Sequence, residues 1–430
     1  MRRPIPPVLA LQLLRRLPRR QRELVEAAAV LGERRGLAVY LVGGPVRDLI
    51  LGSPGADLDI TVAGNAAPYA ETLAASLGAR VTIHPRFGTA TLILQDGLRL
   101  DVATARREQY RHPAALPQVF PATIDEDLFR RDFTINAMAV RLTSGGGELL
   151  DPFGGLKDLR GGRLRAIHDE SYRDDPTRIL RGARYAARYR LHFSFRDRRR
   201  IESALAESVL QRLSGDRLFR EVQLVLHEAA PEAVLKILEG LGVLRALDPA
   251  LARDLRAVAQ MRRVRQGWQH YRHLGVSPRP ELWRVYLLIL LRSVPARVRR
   301  RVGGRLGLKG PPLAAVTGEL RGLPLLQRQL EGRRLGASRL RHLLDRASPE
   351  SRLLLWAGSG RVRRRVERYL TRLAFVKPAL TGRDLKEFGF VPGPTYRQIM
   401  DMLLRGRLDG HLKSREEEIA LLRQRFGRPH

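Results

Sequence analysis

The run Gly43-Gly44-Pro45-Val46-Arg47-Asp48, followed by Asp57-Leu58-Asp59, constrains this chain more than any other stretch. Residues 37–42 are apolar and β-branched enough for a buried strand, and residues 46–51 read as a short helix opening directly after the glycines. Such a turn is where phosphate oxygens bind: no Cβ blocks the anion, the helix N–H groups face it, and Arg47 adds a forked cation. Asp57 and Asp59 are expected on a second strand running to about Val62. Residues two apart on a strand share a face, so both carboxylates point at one spot. Two hard oxygen donors beside a phosphate cradle suit Mg²⁺, which takes a few carboxylates plus substrate phosphate oxygens. Singly, an Asp-x-Asp is often a solvated strand edge and a Gly-Gly an ordinary turn. Their order on a strand–turn–helix–strand frame is what points to chemistry.

Further along stands Asp127-Leu128-Phe129-Arg130-Arg131-Asp132-Phe133-Thr134-Ile135-Asn136-Ala137. With the two motifs above, it resembles the head of a class II tRNA nucleotidyltransferase or bacterial poly(A) polymerase, both DNA polymerase β-like nucleotidyltransferases. Residues 151–159 (Asp-Pro-Phe-Gly-Gly-Leu-x-Asp-Leu) and 174–181 (Asp-Asp-Pro-Thr-Arg-Ile-Leu-Arg) agree with that family, and Leu213-Ser214-Gly215-Asp216-Arg217 with Glu221 matches more loosely. The motifs cover about residues 37 to 225 in the family's order.

The resemblance implies an α+β fold: a small mixed sheet with helices, followed by an elongated all-helical neck, body and tail. It also implies an enzyme that adds nucleotides to an RNA 3′ end without a template. Asp57 and Asp59 would be the catalytic, Mg²⁺-holding carboxylates. Gly43 and Gly44 would form the nucleotide turn, and Gly44, Arg47, Arg181 and Arg184 would position phosphates, the last two alternatively supporting the base readers. Arg131 and Asp132 would face the ribose, and Asp175 and Arg178 would read the edge of the base. Cytosine and adenine both present an amino donor next to a ring acceptor, so one acceptor–donor pair of side chains suits both. The family usually has glutamate where this chain has Asp174; that residue orients the base-reading arginine, so fine base selectivity is the property the shorter acid puts in question.

The residues of the fourth block can also be read without the family. Asp175-Pro176 is a sound helix start, since aspartate accepts from first-turn N–H groups and proline has none to lose. Arg178, Arg181, Arg184 and Arg188 then recur along one helix face. They form either a solvated basic stripe or, because the intervening Ile179, Leu180, Ala183 and Ala186 supply a buried side, the wall of a cleft. Asp101, ending a strand pattern, is either a third active-site acid or a structural partner of Arg106 or Arg107. Residues 106–121 read as a long polar connection; in the resembling enzymes the corresponding loop is flexible and helps switch from C to A addition.

Composition points to nucleic acid independently. The chain carries 78 Lys+Arg against 44 Asp+Glu, a formal net charge of +34 over 430 residues, which implies RNA phosphate as partner and steep salt dependence of binding. A genomic bias toward arginine codons is the alternative source of that charge. Basic runs at 196–200, 297–305 and 361–365 each read equally well as solvated helix faces. The chain has no cysteine, hence neither a disulfide framework nor a thiolate zinc site. His270 and His273 have no carboxylate near in sequence and read as a helix face. No apolar span is long enough for a membrane and the N-terminus lacks a signal-peptide core, so a cytoplasmic location is expected.

A chain this long exceeds one ordinary core. Its organisation reads as an N-terminal helix within 1–36, a catalytic head over 37–150, a base-recognising neck over 151–230, a helical body over 231–376 and a tRNA-binding helical tail over 377–430. The Gly145-Gly146-Gly147 run marks the exit from alternating strands and helices. The reading is a tRNA 3′-end nucleotidyltransferase using CTP and ATP, adding CCA, only CC or only A, with tRNA as partner, no membrane and no obligate protein partner. A poly(A) polymerase acting on other RNA, and a non-catalytic RNA-binding module, remain as alternatives.

Overall fold

The computed structural model describes residues 7–53, 55, 57–251, 255–275, 277–358 and 360–427. The chain divides into two compact units, one of Met1–Glu228 with Ala233–Leu247 and one of Ala229–Glu232 with Asp248–His430.

The first unit opens with two helices, α1 (Pro7–Arg15) and α2 (Arg19–Arg34), where the sequence suggested one. Pro18 causes the break, because the residue before a proline is pushed out of the helical region. Then follow β1 (Val39–Val42), α3 (Gly44–Ile50), β2 (Leu58–Val62), α4 (Ala66–Leu77), β3 (Arg80–His84), β4 (Thr89–Ile93), β5 (Arg99–Thr104), β6 (Arg106–Gln109), β7 (Gln118–Pro121), α5 (Ile124–Phe129), β8 (Ala139–Thr143) and β9 (Gly146–Leu150). Seven strands form one sheet in the order β3-β4-β5-β2-β1-β8-β9, with β6 and β7 a separate hairpin. Within the sheet β2 and β5 pair parallel and every other pair is antiparallel, the mixed sheet expected. All four residues of β1 are buried, as befits a near-central strand. Helix α4 buries Tyr69 and Leu73, and the Tyr69 hydroxyl donates to the Ala28 carbonyl on α2 at 2.6 Å.

Three expectations change here. The glycine run at 145–147 is not the exit from the sheet but the turn and first residues of the β8–β9 hairpin. A Cβ at Gly147 would stand 2.6 Å from the Arg141 carbonyl oxygen, so glycine lets the two strands close. Residues 106–121 are not a loop: β6 and β7 pair from Arg106↔Pro121 to Gln109↔Gln118. β6 is Arg-Arg-Glu-Gln and β7 Gln-Val-Phe-Pro, four residues each, so neither carries an apolar–polar alternation long enough to show a period. The turn at 151–162 contains the helix α6 (Gly155–Arg160).

After β10 (Arg163–Leu164), helices α7 (Ser171–Asp174) and α8 (Thr177–Tyr189) follow, then β11 (His192–Phe193), α9 (Phe195–Ala206) and α10 (Gly215–His227). Among the described residues no strand occurs beyond Phe193. The α+β class, a mixed sheet succeeded by helices, is as expected.

The second unit is helical. Leu282–Arg292 is buried from Val285 to Leu291 and packs against the helices Leu255–His273 and Pro349–Trp356, which bury Tyr271 and Trp356. His270 stacks on Trp356 and meets Glu367 at 3.3 Å, a carboxylate distant in sequence. The final three helices, Gly382–Glu387, Pro394–Leu408 and Arg415–Phe426, enclose their own cluster of Leu380, Leu385, Ile399, Leu403, Leu412 and Leu422. Among the described residues no helix is long and apolar enough to cross a membrane.

Candidate active site

Gly43 lies at the end of β1 with φ +71°. A Cβ there would stand 2.4 Å from Nη1 of Arg131, so this glycine first of all makes room for an arginine. Gly44 differs: the nearest atom to a Cβ would be Arg47 Nη2 at 3.6 Å, ordinary contact. Nothing in the protein demands glycine there, and the position lines an open cleft. Arg47, expected as a phosphate fork, is buried and engaged. It donates to both oxygens of Asp48 at 2.9 and 3.0 Å and to Asn136, and its guanidinium lies 4.5 Å from the Tyr189 ring centre. It braces α3 against α8 at the edge of the cleft.

Asp57 precedes β2 by one residue and Asp59 lies on it, both reached by solvent. The parallel register places Asp59 directly beside Asp101. Asp101 is held by Arg99 at 3.0 and 3.1 Å and by the Thr91 hydroxyl at 2.6 Å, not by Arg106 or Arg107. Although water reaches Asp59 from the cleft, protein crowds it on the other sides. That burial raises its carboxyl above the ordinary range, and repulsion from Asp101 and Asp57 adds to the rise against Arg131 and Arg99. Asp57, Asp59 and Asp101 therefore concentrate negative charge that the local arginines do not cancel, which suits a divalent cation bound partly by a substrate. Among the described residues no cluster of three acid, histidine or cysteine side chains is tight enough to hold a metal unaided.

Asp127, buried on α5, accepts from Arg130 at 2.7 Å and from Arg131 at 2.9 Å. Burial opposes its charge, but Arg131 and Arg130 outweigh it and hold its carboxyl below the usual range. Asp132 is likewise buried yet held low by Arg181 and by bonds from Asn136 and the Phe133 N–H. Its second oxygen stands 3.0 Å from Arg181 Nη2 without hydrogen-bond alignment. Asp127 and Asn136 set the postures of Arg131 and Asp132, a part that sequence reading did not assign; Asp127 lies on α5 and Arg131 just past its end, so the four-residue spacing alone did not place the pair.

Arg178, Arg181, Arg184 and Arg188 all line one cleft of about 540 Å³ with Gly44, Arg47, Asp59, Arg131, Asp132 and Asp175. Of the two readings for the basic face of α8, the cleft wall is the one observed; Gly43 and Asp57 lie outside the lining. Arg184 meets Glu228 at 3.0 Å and Glu221 at 3.4 Å. Asp175 caps α8, accepting from the Thr177 N–H at 3.1 Å, and also receives Arg217 at 2.9 Å. Arg217 in turn donates to the Ala114 carbonyl at 2.7 Å, tying the β6–β7 hairpin to this wall. From the hairpin, Glu108 accepts from Arg130 at 3.0 Å and Tyr110 from above donates to Glu108.

Arg178 is 4 % exposed. It donates to the Ser171 hydroxyl at 2.6 Å and to the Arg130 carbonyl at 2.8 Å, and lies 3.5 Å from His168 Nε2. Burial, then the Arg178 charge, pushes His168 down to about 4, so its ring is neutral and can face a guanidinium. Asp174 is half-buried, its carboxyl raised by burial against the pull of Arg178. Its side chain makes no hydrogen bond to Arg178.

Gly44, Asp59 and the arginine wall of α8 share one cleft, the arrangement expected of a nucleotidyltransferase head. The Poly A polymerase head domain family matches residues 39–165. The chain is 36% identical to an A-adding tRNA nucleotidyltransferase of Geobacter sulfurreducens, covering 95% of this chain but 47% of that protein. It is 30% identical to the A-adding enzyme of Halalkalibacterium halodurans (94% and 92% of the two chains) and 34% identical to the CC-adding enzyme of Deinococcus radiodurans (90% and 89%). It also resembles a CCA-adding enzyme solved in an apo form, at 30% identity and TM-score 0.81 over 96% and 97% of the chains. Against a CCA-adding enzyme with ATP the TM-score is 0.79 at 29% identity over 96% of each chain. Against the Thermotoga maritima CCA-adding enzyme complexed with tRNA it is 0.74 at 29% identity, over 96% and 98%. The chain belongs to the tRNA nucleotidyltransferase family.

Proposed function

We propose that the protein adds nucleotides to the 3′ end of tRNA from CTP or ATP, releasing pyrophosphate, with the cleft of the first unit as its active site. The observation that supports this best is the convergence on one cleft of Asp59 and the arginine face of α8, from segments more than a hundred residues apart in sequence. Asp57 and Asp59, beside Asp101, would hold Mg²⁺, which when bound supplies charge that acidifies the tRNA 3′-hydroxyl and neutralises the triphosphate. Gly44 leaves the backbone of the turn open to a phosphate, and Arg181 and Arg184 set two cations along the wall for the remainder of the triphosphate. Arg131 and Asp132 face the ribose. Asp175 accepts from an exocyclic amino group while Arg178 donates to the ring acceptor beside it.

The attacking 3′-oxygen forms its bond to the α-phosphorus as the bond to pyrophosphate breaks, so the site needs positioning and charge more than a covalent partner. Residues 151–230 supply base recognition, and the helices beyond residue 230, above all the tail from Lys377, hold the tRNA by backbone and shape. A cytoplasmic setting goes with this substrate. The test offers tRNA transcripts ending before CCA, after CC, or an unrelated RNA, each with one labelled NTP. Extension of tRNA and not of the unrelated RNA supports the proposal, and product length separates CCA, CC-only and A-only addition. Equal extension of every RNA would favour a poly(A) polymerase, and no extension a binding protein.

A further inference from the structure

Arg178 sits where a base would be read, yet what aims its guanidinium is not the acid immediately before Asp175. The Asp174 side chain makes no hydrogen bond to it. One terminal nitrogen instead donates to the Ser171 hydroxyl, and the other to the Arg130 carbonyl. Ser171 is itself fully buried, at the start of α7, and its N–H donates to the His168 carbonyl. The buried turn thus places the hydroxyl oxygen against the arginine, 2.6 Å from its terminal nitrogen. A guanidinium is planar, so fixing both terminal nitrogens fixes the plane and leaves its remaining edge committed to one direction.

We infer that Ser171 is a positioning residue for base selection, holding the plane of Arg178 in the part that a longer acid at residue 174 would otherwise play. The inference rests on the reading of Arg178 as base reader. In its terms, Ser171 leaves tRNA binding and the metal acids alone and acts on the difference between cognate and non-cognate NTPs. Losing a hydrogen bond to a charged group at this site lowers the preference of kcat/KM for cognate over non-cognate NTP by about tenfold.

The test compares Ser171→Ala, Asp174→Ala, Arg178→Ala and the double variant Ser171→Ala/Asp174→Glu with the unsubstituted protein. For each, kcat and KM are measured with CTP, ATP, UTP and GTP on a fixed tRNA. Ser171→Ala should raise KM for the cognate NTP and lose discrimination, with KM for tRNA unchanged. Asp174→Ala should change discrimination less than about twofold, well inside the loss of one charged bond. The double variant should recover selectivity, because glutamate at 174 is one methylene longer and reaches toward Arg178; a fault of packing alone would not be rescued this way. Retained discrimination in Ser171→Ala overturns the inference, as does an Asp174→Ala variant that loses selectivity. The second result decides the matter even if Ser171→Ala does not fold. If Arg178→Ala itself keeps full discrimination, the base-reader assignment fails instead, and the two failures are told apart.

Discussion

Replacing Asp59 by asparagine should stabilise the metal-free protein while abolishing nucleotide addition. The side chain keeps its shape, so no cavity is opened, and what disappears is a charge that its surroundings disfavour. Asp59 stands beside Asp101 in register. Two unit charges on adjacent strands, about 5 Å apart, repel by roughly 3 kcal/mol at an effective dielectric near 20. Arg99 on Asp101 and Arg131 near Asp59 offset much of this, and water in the cleft screens more, leaving about 1 kcal/mol. For a domain of this size that corresponds to a rise of about 2–4 °C in Tm. The pH dependence carries the sign: because the folded carboxyl titrates above its unfolded value, the native state holds more protons, and stability falls as pH rises through the carboxylate range toward the raised folded pKa. The asparagine variant lacks that decline. Adding Mg²⁺ should raise the Tm of the unsubstituted protein by mass action and that of the variant much less. Thermal melts with and without Mg²⁺ decide it, and a variant that melts lower, or that gains as much from Mg²⁺, would refute the reasoning.

Arg178→Ala should weaken discrimination among NTPs more than it weakens tRNA affinity, measured as single-NTP incorporation against filter binding, since the base contact is lost while the phosphate-facing arginines remain. Gly43→Ala should lose about 1–3 kcal/mol from the backbone alone, because φ +71° with ψ −121° lies outside the left-handed helical region in territory open to glycine, and because its Cβ would displace Arg131 the KM for NTP should rise as well; unchanged melting and KM would show that the turn relaxes freely. Removing residues from Lys377 onward should raise KM for tRNA and relax the preference over a single-stranded oligonucleotide. Equal losses on both RNAs would mean that the tail contributes charge and not shape.

Much of this was legible because the informative residues are short-range. The β1–glycine–α3 turn and the Asp-x-Asp strand lie within about twenty residues, and period and glycine placement locate them. Arg178, Arg181, Arg184 and Arg188 could be put on one face, but whether that face met water or a cleft depended on partners such as Asp132, Glu221 and Glu228 on other elements. Arg47 was read as a free fork because Asp48 and Asn136 are acceptors whose direction only the folded backbone sets. The β6–β7 hairpin escaped because its four-residue strands carry no apolar–polar alternation, and the Asp59–Asp101 pairing because register between strands separated by a helix and two further strands is not written in either strand. Asp127, Ser171 and Arg217, which aim other side chains, are ordinary polar residues until their neighbours are known.

The most direct measurement is incorporation of labelled CMP and AMP into tRNA by Asp57→Ala and Asp59→Ala, with tRNA binding followed in parallel. Both variants should lose addition while binding tRNA nearly as before, because these carboxylates serve the metal and the triphosphate and not the RNA. Near-normal turnover by either variant would contradict the placement of the chemistry in this cleft.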